Sequence, residues 1–181
     1  MAFMMARLAA AAAAAAALTL SLPAGAEEVR QVWLEGSDVR LAIAEVTLRN
    51  DGTYEFALVP AAFENHFLSM RPFRCIEGAE RHLCHVPYPY AISRDLSDGL
   101  TDLEYDLLFV WKGAGEYGIN MWNGMYWKLE RDDDRFVGVL HEMDMDALSV
   151  PPPDGEMRPI RPAILTEADP DDHPLPRLVV E

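Results

Sequence analysis

The sequence predicts an all-β fold, a single antiparallel meander of about eight strands that forms a small barrel or sandwich. Three observations carry this prediction. Short segments that alternate apolar and polar residues recur between turn signals from residue 29 to residue 141. The triplets Asn-Asp-Gly at 50–52 and Trp-Asn-Gly at 122–124 are placed as hairpin loops. Beyond residue 26, helical periodicity is almost absent, apart from a possible turn or two near 163–169.

Residues 1–26 have the pattern of a cleavable secretory signal peptide. Arg7 precedes an apolar run at 8–22, and the triplet Ala-Gly-Ala at 24–26 supplies a small-residue cleavage site. The apolar run is shorter than the roughly 20 residues that a membrane-spanning helix needs. We therefore expect a mature protein that begins at Glu27, works in the periplasm or outside the cell, and has no transmembrane segment after cleavage.

Net charge limits the partners that this chain can have. The chain holds 15 Lys and Arg residues against 30 Asp and Glu residues, and removing the leader with its one arginine leaves 14 against 30, or −16. Such a large negative charge repels nucleic acid and anionic lipid headgroups, and it favours cations or basic partners. It also keeps a protein soluble. We expect no nucleic-acid partner.

The apolar residues on either side of the first predicted hairpin loop determine its register. A two-residue Asp-Gly turn would set Glu55 opposite the apolar Leu48. A three-residue loop at 50–52, with Gly52 in the left-handed conformation, instead sets Leu48 opposite Tyr54 and continues apolar pairs along one face. We predict the longer loop.

The same rule predicts a second hairpin with its loop at 122–124. One face of this second hairpin would carry Tyr117, Ile119, Met121, Met125, Trp127 and Leu129. Further strands are predicted at 29–35, 67–76, 82–86, 103–112 and 136–141. In the strand at 103–112, the acidic residues Asp102, Glu104 and Asp106 would lie opposite an apolar face and meet solvent.

Two cysteines in an exported chain predict one disulfide. Cys75 and Cys84 flank a Glu-Gly turn, and joining them sets Ile76 opposite Leu83 as in a hairpin. A thiol metal site or redox pair is the alternative, although the spacing is not that of a C-x-x-C motif. His82 and His85 lie three residues apart on this extended segment, so they point to opposite faces and are not expected to share a metal.

The composition changes after residue 150. Eight of the thirteen prolines lie between 150 and 176. We predict a folded domain at 27–150 followed by a proline-rich, extended segment at 151–181. The apolar residues at 177–181 end that segment and predict a final edge strand.

The segment His-Glu-Met-Asp-Met-Asp at 141–146 is a candidate metal site. On a strand, His141, Met143 and Met145 share one face, and their imidazole and thioether groups suit copper(I). The spacing resembles that of small periplasmic copper-binding β-barrels, which use His and Met ligands beside a Trp, and this resemblance covers six residues. It implies copper as a cofactor. The alternative is that the three residues continue a core-facing stripe that begins at Val137 and Val139.

Aromatic residues on the predicted inner faces are candidates for filling a core or lining a ligand cavity. They are Tyr105, Phe109, Trp111, Tyr117 and Trp127.

Catalytic motifs are not found: the sequence has neither a G-x-S-x-G elbow nor an H-E-x-x-H zinc motif. The leading expectation is a non-enzymatic periplasmic binding or accessory protein without a cofactor, whose partner is a small apolar ligand or a protein of the cell envelope. A copper(I)-handling protein is the first alternative, and an enzyme of unrecognised type is the second.

Overall fold

The computed structural model describes residues 27–68 and 71–181. The predicted signal peptide at 1–26 lies outside the described residues, so export and cleavage before Glu27 stay predictions. Within the described ranges, no helix combines the length and the apolar character that crossing a membrane requires.

In the described part of the chain, eleven strands form one curled antiparallel sheet with the shape of half a barrel, which confirms the predicted all-β class. Neighbouring strands follow the order β3-β2-β1-β11-β9-β8-β7-β6-β5-β4, and β10 pairs with β9 outside this path. The strands are β1 (Glu28–Glu35), β2 (Arg40–Leu48), β3 (Tyr54–Leu58), β4 (Glu64–Leu68), β5 (Arg71–Ile76), β6 (Arg81–His85), β7 (Phe109–Gly113), β8 (Gly124–Asp132), β9 (Arg135–Met143), β10 (Thr166–Glu167) and β11 (Arg177–Val180).

Helical structure in the described ranges is limited to short segments. One α-helix, α1 (Thr101–Asp106), lies between β6 and β7. The 3₁₀ segments are Pro60–Ala62, Met121–Asn123, Met145–Leu148, Pro162–Ile164 and Pro170–Asp172.

The first hairpin has the predicted register. Leu48 lies opposite Tyr54, and the apolar pairs continue along β2 and β3 to Ala44 and Leu58. Gly52 has a φ of +89°, a conformation that residues with a β-carbon rarely adopt, so the loop depends on this glycine. The three-residue loop is confirmed.

The disulfide is also confirmed. Cys75 and Cys84 are opposite each other on β5 and β6, with their α-carbons 4.0 Å apart, and Ile76 lies opposite Leu83. Both cysteines are fully buried, so the bond lies inside an apolar cluster rather than on the surface.

The final strand differs from the prediction. β11 is not an edge strand, because it lies between β1 and β9, with Val179 opposite Trp33 on one side and Val137 on the other. Its three apolar residues are buried, as is expected for a strand with neighbours on both sides. The C-terminal segment is therefore part of the sheet and not an appendage to it.

The second predicted hairpin is wrong. Residues 121–123 form a 3₁₀ segment that the Asn120 side chain caps by accepting a 3.1 Å hydrogen bond from the Trp122 amide. Gly124 then begins β8, which pairs with β7 and β9 rather than with residues 117–121. The alternating pattern before the loop is part of a turn region, and Tyr117 is 92% exposed.

The predicted strand at 103–112 is correct only in its second half, because residues 101–106 are helical. Leu100, Leu103 and Leu107 recur at the spacing of a helix and pack into the same core cluster. A turn of helix buries these leucines together, whereas a strand would have divided them between two faces.

Two apolar clusters lie on opposite faces of the central strands. Phe109 and Trp127 belong to the first cluster, and their neighbours Val110 and Tyr126 belong to the second, as strand alternation requires. Helix α1 contributes to both, and it is therefore enclosed on more than one side.

Candidate ligand-binding pocket

Helix α1 carries three acidic residues into the interior. Asp102, Glu104 and Asp106 are 1%, 5% and 6% exposed. The sequence pattern placed them on a solvent-facing strand, and this expectation is wrong because the segment is helical and is covered by neighbouring residues. Buried carboxylates need hydrogen-bond and charge partners, so their contacts indicate what each one does.

Two of these acids are paired with arginines. The Asp102 carboxylate accepts a hydrogen bond of 2.7 Å from Nε of Arg158. The Asp106 carboxylate accepts two hydrogen bonds of 2.8 Å from the guanidinium of Arg94, and a third of 2.8 Å from the Tyr54 hydroxyl. Both acids therefore have structural roles, fixing α1 to the chain on either side of it.

Glu104 differs from its two neighbours on α1. Its carboxylate accepts a 2.7 Å hydrogen bond from the Leu129 amide and another from the Tyr126 hydroxyl. Across residues 27–68 and 71–181, no lysine or arginine forms an ion pair with it. Burial raises the pKa of Glu104 above its ordinary value, although these hydrogen bonds and the nearby positive charges of Lys128 and His141 act in the opposite direction. No lysine or arginine of the described residues therefore contacts the Glu104 carboxylate.

The Glu104 carboxylate lies at a pocket of about 560 Å³ between α1, β8, β9 and the segment 160–167. The lining residues are Leu100, Thr101, Glu104, Tyr126, Lys128, Leu129, His141, Ile160, Pro162, Leu165 and Glu167. Apolar side chains supply much of the wall. The polar groups converge from α1 and from the paired strands, in which Tyr126 lies opposite His141. The pocket has the size and the mixed lining of a small-molecule site.

Most polar groups in this pocket are hydrogen-bond acceptors. The Nδ1 atom of His141 lies 3.0 Å from the Val139 carbonyl oxygen, which can only accept, so Nδ1 carries a proton. In the neutral imidazole, Nε2 then holds a lone pair. The Tyr126 hydroxyl uses its proton on Glu104 and retains its own lone pairs. A ligand that donates hydrogen bonds therefore fits this lining best.

The structure separates the three candidate copper ligands by environment. His141 lines the pocket, whereas Met143 and Met145 are buried, at 4% and 1% exposure, in the second apolar cluster. Both methionines lie against Gly124: a β-carbon at that position would come within 2.7 Å of Met145 Cγ and 3.2 Å of Met143 Cγ. These contacts describe packing of the thioethers against the sheet, and copper binding stays a prediction.

The five aromatic residues that were predicted to line an interior do not converge. Phe109 and Trp127 pack edge to face, with ring centroids 5.6 Å apart, in the first cluster. Tyr105 lies in the second cluster, where its hydroxyl accepts a 2.7 Å hydrogen bond from the Ile160 amide. Trp111 is half-buried beneath the Arg81 guanidinium, and Tyr117 is at the surface.

Sequence reasoning missed Glu104 as a site residue. The signal that was available is the helical spacing of Leu100, Leu103 and Leu107, which indicates a short helix rather than a solvent-facing strand. The arginine partners of Asp102 and Asp106 come from distant segments, so the sequence alone does not distinguish Glu104 from its neighbours.

Comparisons with known proteins give no match: no family model, no curated protein and no solved structure is similar to this chain.

Proposed function

We propose that this chain is an exported, non-enzymatic binding protein that takes a small amphipathic amine into the pocket beside α1. The observation that carries the proposal is the Glu104 carboxylate, which is buried at the pocket without a cationic partner among the described residues, while Asp102 and Asp106 on the same helix each have an arginine.

Because the Glu104 carboxylate has no arginine or lysine partner among the described residues, a positively charged ligand is favoured. A buried carboxylate is stabilised most by a cation that also donates hydrogen bonds, and an ammonium group does both. The acceptors at Tyr126 and His141 can receive its remaining protons. Lys128, which is exposed and also lines the pocket, forms no ion pair with Glu104 among the described residues, although its charge favours the ionised carboxylate.

The apolar part of the wall favours a hydrocarbon portion in the ligand. It is formed by Leu100, Leu129, Ile160, Pro162 and Leu165. A ligand with an apolar body and an ammonium group would bury the first against these side chains and direct the second to Glu104. The net charge of the mature chain, −16, would raise the local concentration of such a cation.

Export is the other half of the proposal. It rests on the leader at 1–26, and the buried disulfide between Cys75 and Cys84 supports it, because such bonds persist in oxidising compartments.

The test uses three probes of equal chain length, octylamine, 1-octanol and octanoate, each titrated by calorimetry against the protein. We expect octylamine to bind at least about tenfold more tightly than 1-octanol, because only the amine forms a charged hydrogen bond to Glu104. Octanoate should bind most weakly.

Two variants make the assignment specific. Glu104→Gln keeps the shape of the side chain and removes its charge, so it should abolish the preference for the amine. Glu130→Gln, at an exposed position of β8 outside the pocket, should retain it. Equal affinity for amine and alcohol in the unaltered protein, or an amine preference that persists in Glu104→Gln, would refute the proposal.

A further inference from the structure

A second cluster of polar side chains lies on the other half of the sheet and shares no residue with the pocket. His66 on β4, Glu77 in the turn after β5 and His82 on β6 each offer one ligand atom, and these three atoms lie within 4.8 Å of one another. The Nε2 atom of His66 is 2.9 Å from Oε1 of Glu77, and the ring centroids of His66 and His82 are 5.1 Å apart.

The backbone around this cluster is fixed by covalent and hydrogen bonds. Cys75 and Cys84, joined by the disulfide, lie two residues before Glu77 and two residues after His82. Strand β4 pairs with β5, which places His66 opposite Phe73. The two histidines are therefore brought together by paired strands, and Glu77 lies in the turn that directly follows β5.

The state of the imidazoles suits metal binding. The Nδ1 atom of His82 accepts a 3.3 Å hydrogen bond from the Gly78 amide, so this nitrogen has its lone pair available. A metal ion at this position would replace the Gly78 amide as the partner of Nδ1.

We propose that His66, Glu77 and His82 form a binding site for a divalent transition-metal ion of the zinc type. Two imidazoles and one carboxylate are a ligand set that zinc takes at about 2.0–2.2 Å, with one coordination position left for water. Glu77 is exposed, so an ion can enter without rearrangement of the fold. The site would tie the edge strand β4 to the β5–β6 hairpin. This proposal does not depend on the amine pocket.

Pairing His82 with His66 could not be inferred from the spacing of the histidines. The two neighbouring histidines of β6 diverge as predicted, because His85 turns to the opposite face and packs against Phe56 and Phe109. The partner of His82 comes instead from a strand two positions away in the sheet.

The test is a calorimetric titration of the metal-free full-length protein with ZnCl₂, with CaCl₂ as a comparison. We expect one zinc ion per chain, an increase in Tm on zinc addition, and no comparable effect of calcium, which prefers sites built from more oxygen ligands. His66→Gln and Glu77→Gln should each weaken zinc binding by more than about 100-fold, since loss of a group that only hydrogen-bonds to a ligand already costs about 10- to 100-fold.

Glu80→Gln is the matched control, because Glu80 lies in the same exposed turn but outside the cluster, and its zinc affinity should be unchanged. Absence of zinc binding would overturn the proposal. So would binding that neither His66→Gln nor Glu77→Gln weakens, because it would be adventitious binding to surface groups.

Discussion

The Tyr126 hydroxyl donates a hydrogen bond to the Glu104 carboxylate, and through this contact β8 holds α1 at the pocket. Burial raises the pKa of both groups, and the charge of Glu104 raises that of Tyr126 further. The phenol therefore keeps its proton at neutral pH and acts as the donor. The carboxylate retains lone pairs beyond those used by Tyr126 and the Leu129 amide, and the Glu104 side chain lines the pocket.

The raised pKa of Glu104 predicts a pH-dependent difference between the unaltered protein and Glu104→Gln. A carboxyl whose pKa is higher in the folded state than in the unfolded state binds its proton more tightly when folded. Stability should therefore fall, relative to the variant, as pH rises from about 4.5 through the raised pKa, by about 1.4 kcal/mol for each pKa unit of difference. Tm values of both proteins between pH 4 and pH 8 measure this, and a constant difference would contradict it.

Removing the arginine partner of Asp106 should destabilise the fold. Arg94→Met leaves the buried carboxylate with the Tyr54 hydroxyl alone. We expect a loss of about 2–3 kcal/mol in the free energy of unfolding, below the range for fully buried pairs because the Arg94 side chain is half-exposed. Urea denaturation measures it. The control Arg49→Met removes an exposed ion pair to Glu55 and should change stability by less than about 1 kcal/mol.

Loss of the disulfide should lower stability without abolishing the sheet. In the double variant Cys75→Ala, Cys84→Ala, the unfolded chain regains the freedom of a closed loop of about 10 residues, which corresponds to about 2.7 kcal/mol. Chemical denaturation of both proteins measures the difference. A count of two free thiols in the denatured, unreduced protein would contradict the bond itself.

A methyl group added at Gly138 should be destabilising, because β9 packs closely against its neighbours there. A β-carbon would come within 2.9 Å of Trp127 Cβ and 3.2 Å of Leu178 Cβ. We expect Gly138→Ala to lower the free energy of unfolding by about 1–3 kcal/mol. Gly115→Ala, where nothing lies within 4 Å of the added carbon, should change it by less than about 0.5 kcal/mol. Equal effects of the two substitutions would show that β9 accommodates the methyl group.

Local patterns in the sequence predicted the features that depend on neighbouring residues. The Asn-Asp-Gly loop and the Cys75–Cys84 hairpin each join segments that are adjacent along the chain, so turn chemistry and alternation determine them. The failures involve distant contacts. The central position of β11 depends on pairing with both β1 and β9, and the burial of Glu104 depends on strands and segments that close over α1.

The alternation of apolar and polar residues also predicted the wrong element at α1, because a short helix and a short strand can have similar apolar patterns. Residues 103–111 alternate well enough to predict a strand, but the helix at 101–106 places Leu103 and Leu107 in the first cluster and Tyr105 in the second, whereas a strand would put all three on one face. The candidate binding residue lies in this ambiguous segment, which is why the pocket was not predicted. Similarly, His66 and His82 become neighbours only when β4 and β6 flank β5.

The position of β11 means that the sheet is completed only when the last of the described strands is in place. β1 and β9 acquire their shared neighbour only when residues 177–180 pair with both of them. Without β11, β1 and most of β9 have an unpaired side, and such edges favour association with other chains. Removal of residues 177–181 would likewise expose two edges in the interior of the sheet at once.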